Sequence, residues 1–188
     1  KYHLNGEELG NLTAFFFYGY AITQIFAGIL VDKFGLKKLA TYSLLTASLG
    51  MGIFTIASNI WVTMLGRFMM GMGSAFATIC YLRCTASWCH TKIRALADGC
   101  LTIGVMLGAF FAEAPLALSI KHLGLHRSLS LMVLIGLVLA TISFLYLRDG
   151  QYIQPKQRNI LAEFKVMLRK RENWLLAAYS GLAFAPLA

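Results

Sequence analysis

The stretch Gly28-Ile29-Leu30-Val31-Asp32-Lys33-Phe34-Gly35-Leu36-Lys37-Lys38 closes one apolar run and opens the next, with only a charged turn between them. Each run is roughly twenty residues long, the length that a bilayer core demands of a helix. Gly28 permits close approach of another helix, and Gly35 can take the left-handed backbone of a sharp turn. Asp32 falls at the membrane edge. Lys33, Lys37 and Lys38 lie where cytoplasmic, anionic lipid surfaces attract basic residues.

Working outward, the whole chain fits this setting. Hydrophobic residues make up 58% of the 188, and the mean hydropathy is +0.66. Soluble domains sit nearer about 45–50% apolar, so lipid rather than a buried core must absorb the excess. The net charge of +9 belongs to topology and not to nucleic acid. Thirteen of the 17 Lys and Arg fall in three segments that share one side, around residues 33–38, 83–94 and 148–171. The other side keeps only Lys1, Lys121 and Arg127, and Arg67 lies within a span. By the positive-inside rule the basic segments are cytoplasmic.

Apolar runs predict spans over 10–31, 39–58, 61–83, 99–120 and 128–147, with a polar outer segment before the first. A cytoplasmic connector is expected over 85–97 and an outer loop over 121–127. Residues 148–173 are basic and contain Gly150 and Pro155, which reads as a cytoplasmic linker with a short amphipathic surface helix. Residues 174–188 begin a further span. Lys1 starts within a loop, so the chain reads as a fragment. Cys84, Cys89 and His90 match no usual zinc spacing, and neither a phosphate-binding loop nor a nucleophile–base pair is visible. The residues point to no metal, no cofactor and no enzyme activity, and the protein is expected to be monomeric.

The quoted stretch resembles the signature loop of the major facilitator superfamily, G-x-L-x-D-K/R-x-G-x-K/R-K/R, through Gly28, Leu30, Asp32, Lys33, Gly35, Lys37 and Lys38. The resemblance implies an all-α integral membrane bundle comprising helices two to six of that family and the start of helix seven. Residues 1–147 would form the N-terminal half without helix one, 148–173 the interdomain loop, and 174–188 the start of the second half. Asp32 would hold the cytoplasmic sides of the two halves together.

Leu65-Gly66-Arg67-Phe68-Met69-Met70-Gly71-Met72-Gly73-Ser74-Ala75 is similar to the family's second motif, R-x-x-x-G-x-G-x-A. There the arginine is linked to proton coupling or substrate. Helical spacing puts Arg67, Ser74, Thr78 and Tyr81 on one face, and the resemblance turns that face toward the central cavity. Glu113 is the acidic residue well inside a span. Both it and Arg67 fall about 9–10 Å below the outer surface, so the pair reads either as a structural ion pair or as a protonatable coupling site.

Gly71 and Gly73, and the pair Gly104 and Gly108, read as helix-packing positions, with Pro115 late in its span. The run 104–115 departs from the glycine–proline motif of drug–proton antiporters. Ala114-Pro115-Leu116-Ala117 and Gly124-Leu125-His126-Arg127 look like a pattern of bacterial metabolite permeases. The resemblance therefore implies a secondary transporter of a small solute, by uptake symport or exchange, in a bacterial inner membrane with a co-transported proton. A transporter-like sensor and a proton-coupled efflux antiporter are the alternatives.

Overall fold

The computed structural model describes residues 6–147 together with 169–172, 174, 175, 178 and 179. The chain divides into two compact units, Lys1–Tyr152 and Ile153–Ala188. In the first, five helices follow one another: α1 (Gly6–Phe34), α2 (Leu36–Ile56), α3 (Ile60–Trp88), α4 (Thr91–Leu123) and α5 (Leu125–Tyr146). No strand occurs among the described residues. In the second unit, Arg169, Arg171, Glu172, Trp174, Leu175, Ala178 and Tyr179 are helical. The expected linker and the further span otherwise lie outside the described residues.

The helices run well past the apolar stretches that predict them. α1 has 29 residues, about 43 Å at 1.5 Å per residue, against a hydrocarbon core of about 30 Å. The expected connector over 85–97 is instead helical, broken only at Cys89 and His90. Tyr81 donates its hydroxyl to the Ala97 carbonyl at 2.6 Å, and Thr85 donates to Asp98 at 2.9 Å. These bonds fasten the end of α3 to the start of α4. The expected loop over 121–127 likewise shrinks to one residue, Gly124. Polarity ended the apolar runs, but nothing in those polar residues breaks a helix.

Among the described residues, four helices are long and apolar enough to cross a membrane: α1, α2, α4 and α5. α3 has the length, 29 residues, but Arg67 and its small residues dilute its hydrocarbon. It compensates by packing between α1 and α2, and α2 in turn packs on α5. Small residues make this closeness possible. A Cβ on Gly71 would overlap the Phe16 carbonyl of α1, and one on Gly73 would stand 2.6 Å from the Ser43 carbonyl of α2. Gly66 lies against Gly50 in the same way.

α4 is the exception. None of its apolar window is buried among the described residues, and a Cβ on Gly104 or Gly108 would meet nothing within 4 Å. The packing expected of that pair, and of Gly28, finds no neighbour among the described residues.

Candidate functional site

The turn between α1 and α2 is built on a small apolar floor. Val31 and Leu36 flank Gly35 and are buried with Leu39 and Cys80, while Leu30, Ala40, Phe76, Ile79, Cys84 and Leu147 pack against them. Leu30 and Val31 thus hold the last turn of α1 against α3. Gly35 has φ 83° and ψ 159°, a positive-φ but extended conformation rather than the left-handed helical one expected. That region is open essentially to glycine alone.

Above this floor, Asp32 meets Arg83. The Nη2 of Arg83 stands 2.8 Å from Oδ1 and donates to Oδ2 at 2.9 Å. The signature aspartate is therefore bound to α3, fifty-one residues further along the chain. Sequence reading assigned Arg83 to the basic segment and missed the pairing. The only hint was an acid and a base at matching depth in two spans, and nothing in the sequence said that α1 and α3 are neighbours. Lys33 lies over the Phe34 ring at 5.6 Å, and Lys37 lies over the Phe144 ring of α5 at 4.7 Å. Lys38 is exposed.

At the other end of the same helix, Arg67 is half-buried. Its guanidinium sits 4.9 Å from the centre of the Phe54 ring of α2, a cation–π contact that offsets part of its desolvation. Its Nε is buried without a hydrogen-bond partner among the described residues. Arg67 and Arg83 are sixteen residues apart, about 24 Å along α3. One helix therefore carries a paired arginine at the signature turn and, near its far end, one whose buried Nε has no partner among the described residues.

Each hydroxyl of the stripe below Arg67 donates to a backbone carbonyl. Ser74 donates to the Met70 carbonyl at 3.0 Å, and Thr78 donates to the Ser74 carbonyl at 3.0 Å, the local back-bonding that satisfies hydroxyls inside helices. Tyr81 is committed to α4. Glu113 lies in α4, and its side chain is outside the described residues. Pro115 also lies inside α4, where its missing N–H removes one helical bond, and Ser119 donates to the Pro115 carbonyl at 2.9 Å. Among the described residues no cluster of three His, Cys, Asp or Glu is placed to hold a metal.

Comparison with known proteins gives a family match and several relatives. A family model described as Major Facilitator Superfamily matches residues 1–188. Multidrug resistance protein 2 of Bacillus subtilis (strain 168) is 28% identical over 83% of this chain and 39% of its own length. The hexuronate transporter of the same organism is 23% identical over 78% of this chain and 35% of its own. A Pseudomonas putida protein named "Probable galactarate/D-glucarate transporter GudP" is 36% identical over 50% of this chain and 22% of its own. The chain thus spans well under half the length of these relatives.

Proposed function

We propose that this chain, which belongs to the Major Facilitator Superfamily and is an integral membrane protein, forms most of one half of a secondary transporter. The half would rock against a second one around a site near the midplane, so that a small solute is reached from one side at a time. The observation that carries this reading is α3 itself. Its Arg83 ties down the signature turn through Asp32, while its Arg67 keeps a buried donor unsatisfied. A charge lock at one end and an available cation toward the other are what a helix needs to couple occupancy to opening.

The substrate class we favour is a small organic anion carrying a carboxylate, taken up with a proton or exchanged for another anion. Arg67 would bind the carboxylate through charge-assisted hydrogen bonds. The names of the hexuronate and galactarate/D-glucarate relatives point the same way. Glu113 is the candidate proton carrier, as an acidic residue within the span of α4. A bacterial inner membrane and a monomeric state complete the proposal. Efflux is the second reading, supported by the multidrug resistance relative, which aligns over 83% of this chain. A sensor that binds without moving its ligand is the third.

The test is flux through the full-length protein in proteoliposomes. Counterflow of a hexuronate or an aldarate is expected, with Arg67→Met reducing it at least about tenfold, the loss of roughly one charged hydrogen bond. Extrusion of cationic dyes under an imposed proton gradient would establish the efflux reading instead. Absence of both fluxes in well-folded protein would overturn the transporter proposal and leave the sensor.

A further inference from the structure

Between α2 and α5 runs an open-sided groove of about 390 Å³, lined by Lys38, Thr41, Tyr42, Leu45, Ala140, Thr141 and Phe144. Its walls ask for hydrocarbon. The Thr41 hydroxyl is already donated to the Lys37 carbonyl at 3.0 Å, and that of Thr141 to the Leu137 carbonyl at 2.9 Å. Both hydroxyls thus spend their donors inside their own helices. Tyr42 and Phe144, 58% and 53% exposed, form the rims. Deeper in, Gly136 of α5 sits directly on the Ser48 side chain of α2, and the two helices close the gap.

The groove opens at its other end beside Lys38, which has no carboxylate partner among the described residues. Lys38 and Tyr42 are four residues apart and therefore on one face of α2. From Lys38 to Leu45 the groove extends about 10 Å along the helix. Lys38 at the mouth with Lys37 over the Phe144 rim at 4.7 Å, a phenol one turn below and an apolar slot beneath match one kind of molecule. We propose that this groove is a specific site for an anionic glycerophospholipid of the leaflet facing the Gly35 turn. Its phosphate meets Lys38, its glycerol and ester region meets the Tyr42 hydroxyl, and one acyl chain fills the slot between Leu45 and Phe144. An apolar helix would leave the Lys38 charge unanswered, and a soluble phosphate would leave the apolar walls uncovered.

The inference rests on the membrane reading alone, so it stands or falls independently of transport. The full-length protein is placed in phosphatidylcholine nanodiscs with a small fraction of phosphatidylglycerol carrying a photoreactive diazirine in one acyl chain. Labelled peptides are then mapped by mass spectrometry. Labelling is expected to concentrate on residues 41–45 and 140–144, exceeding that by a phosphatidylcholine probe of the same chains. Lys38→Gln should lower it about fivefold, the effect of one lysine near an anionic surface, with an unchanged melting temperature, and Lys38→Arg should restore it. Glycerol phosphate in solution should not compete. Equal labelling by the two probes, indifference to Lys38→Gln, displacement by glycerol phosphate, or protection of the groove by another polypeptide segment would each overturn the proposal.

Discussion

Phe34-Gly35-Leu36-Lys37-Lys38 and Leu123-Gly124-Leu125-His126-Arg127 are two versions of one turn. Each joins two helices through a single glycine, with φ 83° and ψ 159° at Gly35 and φ 81° and ψ 158° at Gly124. The hydrogen bonds repeat as well. Gly35 donates to Val31 and accepts from Leu39, as Gly124 donates to Ile120 and accepts from Ser128. The surroundings differ. Leu36 is 7% exposed, whereas Leu125 is 55% exposed. Three residues before the glycine, the first turn has Asp32 bound to Arg83, and the second has Lys121, a basic residue in the last turn of α4. The backbone of such a turn is set by one glycine. Its anchorage is set by the charge and apolar residues around it: the first turn has the Asp32–Arg83 pair beside buried Leu36, and the second has buried Ser128 and Leu129 one turn further on.

The largest effect should come from the helices each turn delivers. α1 and α2 grip α3 through glycines whose replacement would collide with backbone. Gly71→Leu, forced against the Phe16 carbonyl, should destabilise by about 1–3 kcal/mol or more, as overpacking does, and lower folded yield and melting temperature. Gly108→Ala, with open space around it, should change stability by well under 1 kcal/mol and in the favourable direction, since alanine is the better helix former. Comparable losses at both positions would break the comparison by showing α4 to be as tightly covered as α3.

Next come the glycines of the turns. At φ near 80° and ψ near 160° any side chain is strained by about 1–3 kcal/mol. Gly35→Ala and Gly124→Ala should therefore lower the melting temperature alike, because the backbone angles are alike. A much smaller loss at Gly124 would mean that the less anchored turn relaxes around the new side chain, which would sharpen the contrast.

α1, α2, α4 and α5 were legible because each carries an apolar run of membrane-spanning length, α3 because its run is of similar length though diluted by Arg67, and the Gly35 turn because glycine follows a charged break there. The Gly124 turn was read as a loop, since Lys121, His122, His126 and Arg127 are polar. Polarity marks where lipid ends and says nothing of where helical hydrogen bonding ends. The same confusion made a connector of residues 85–97. Arg67 was legible as a cation in a span, but its stacking on Phe54 depends on how α2 and α3 pack. The Asp32–Arg83 pair depends on α1 lying beside α3, and pairing of this kind has no local signature.

That pair carries the smallest stability effect and the most specific functional one. With Arg83 50% and Asp32 27% exposed at the side chain, water screens the attraction, and pairs of this kind contribute about 0.2–1 kcal/mol. A double-mutant cycle of Asp32→Asn and Arg83→Gln should give a coupling energy in that range, read from melting of the full-length protein. Lys121→Gln in the second turn should shift stability by no more than about 0.5 kcal/mol, the usual span for surface changes. Transport should separate the turns far more sharply. Either single change at the pair removes the lock on the Gly35 turn and should impair flux in protein that still inserts and folds. The swap Asp32→Arg with Arg83→Asp keeps the pair with its charges exchanged and should recover part of the flux. If Lys121→Gln impairs flux as much as Asp32→Asn does, anchorage by charge is not what distinguishes the two turns. If the swap recovers nothing although both singles fold, Asp32 acts through a partner other than Arg83.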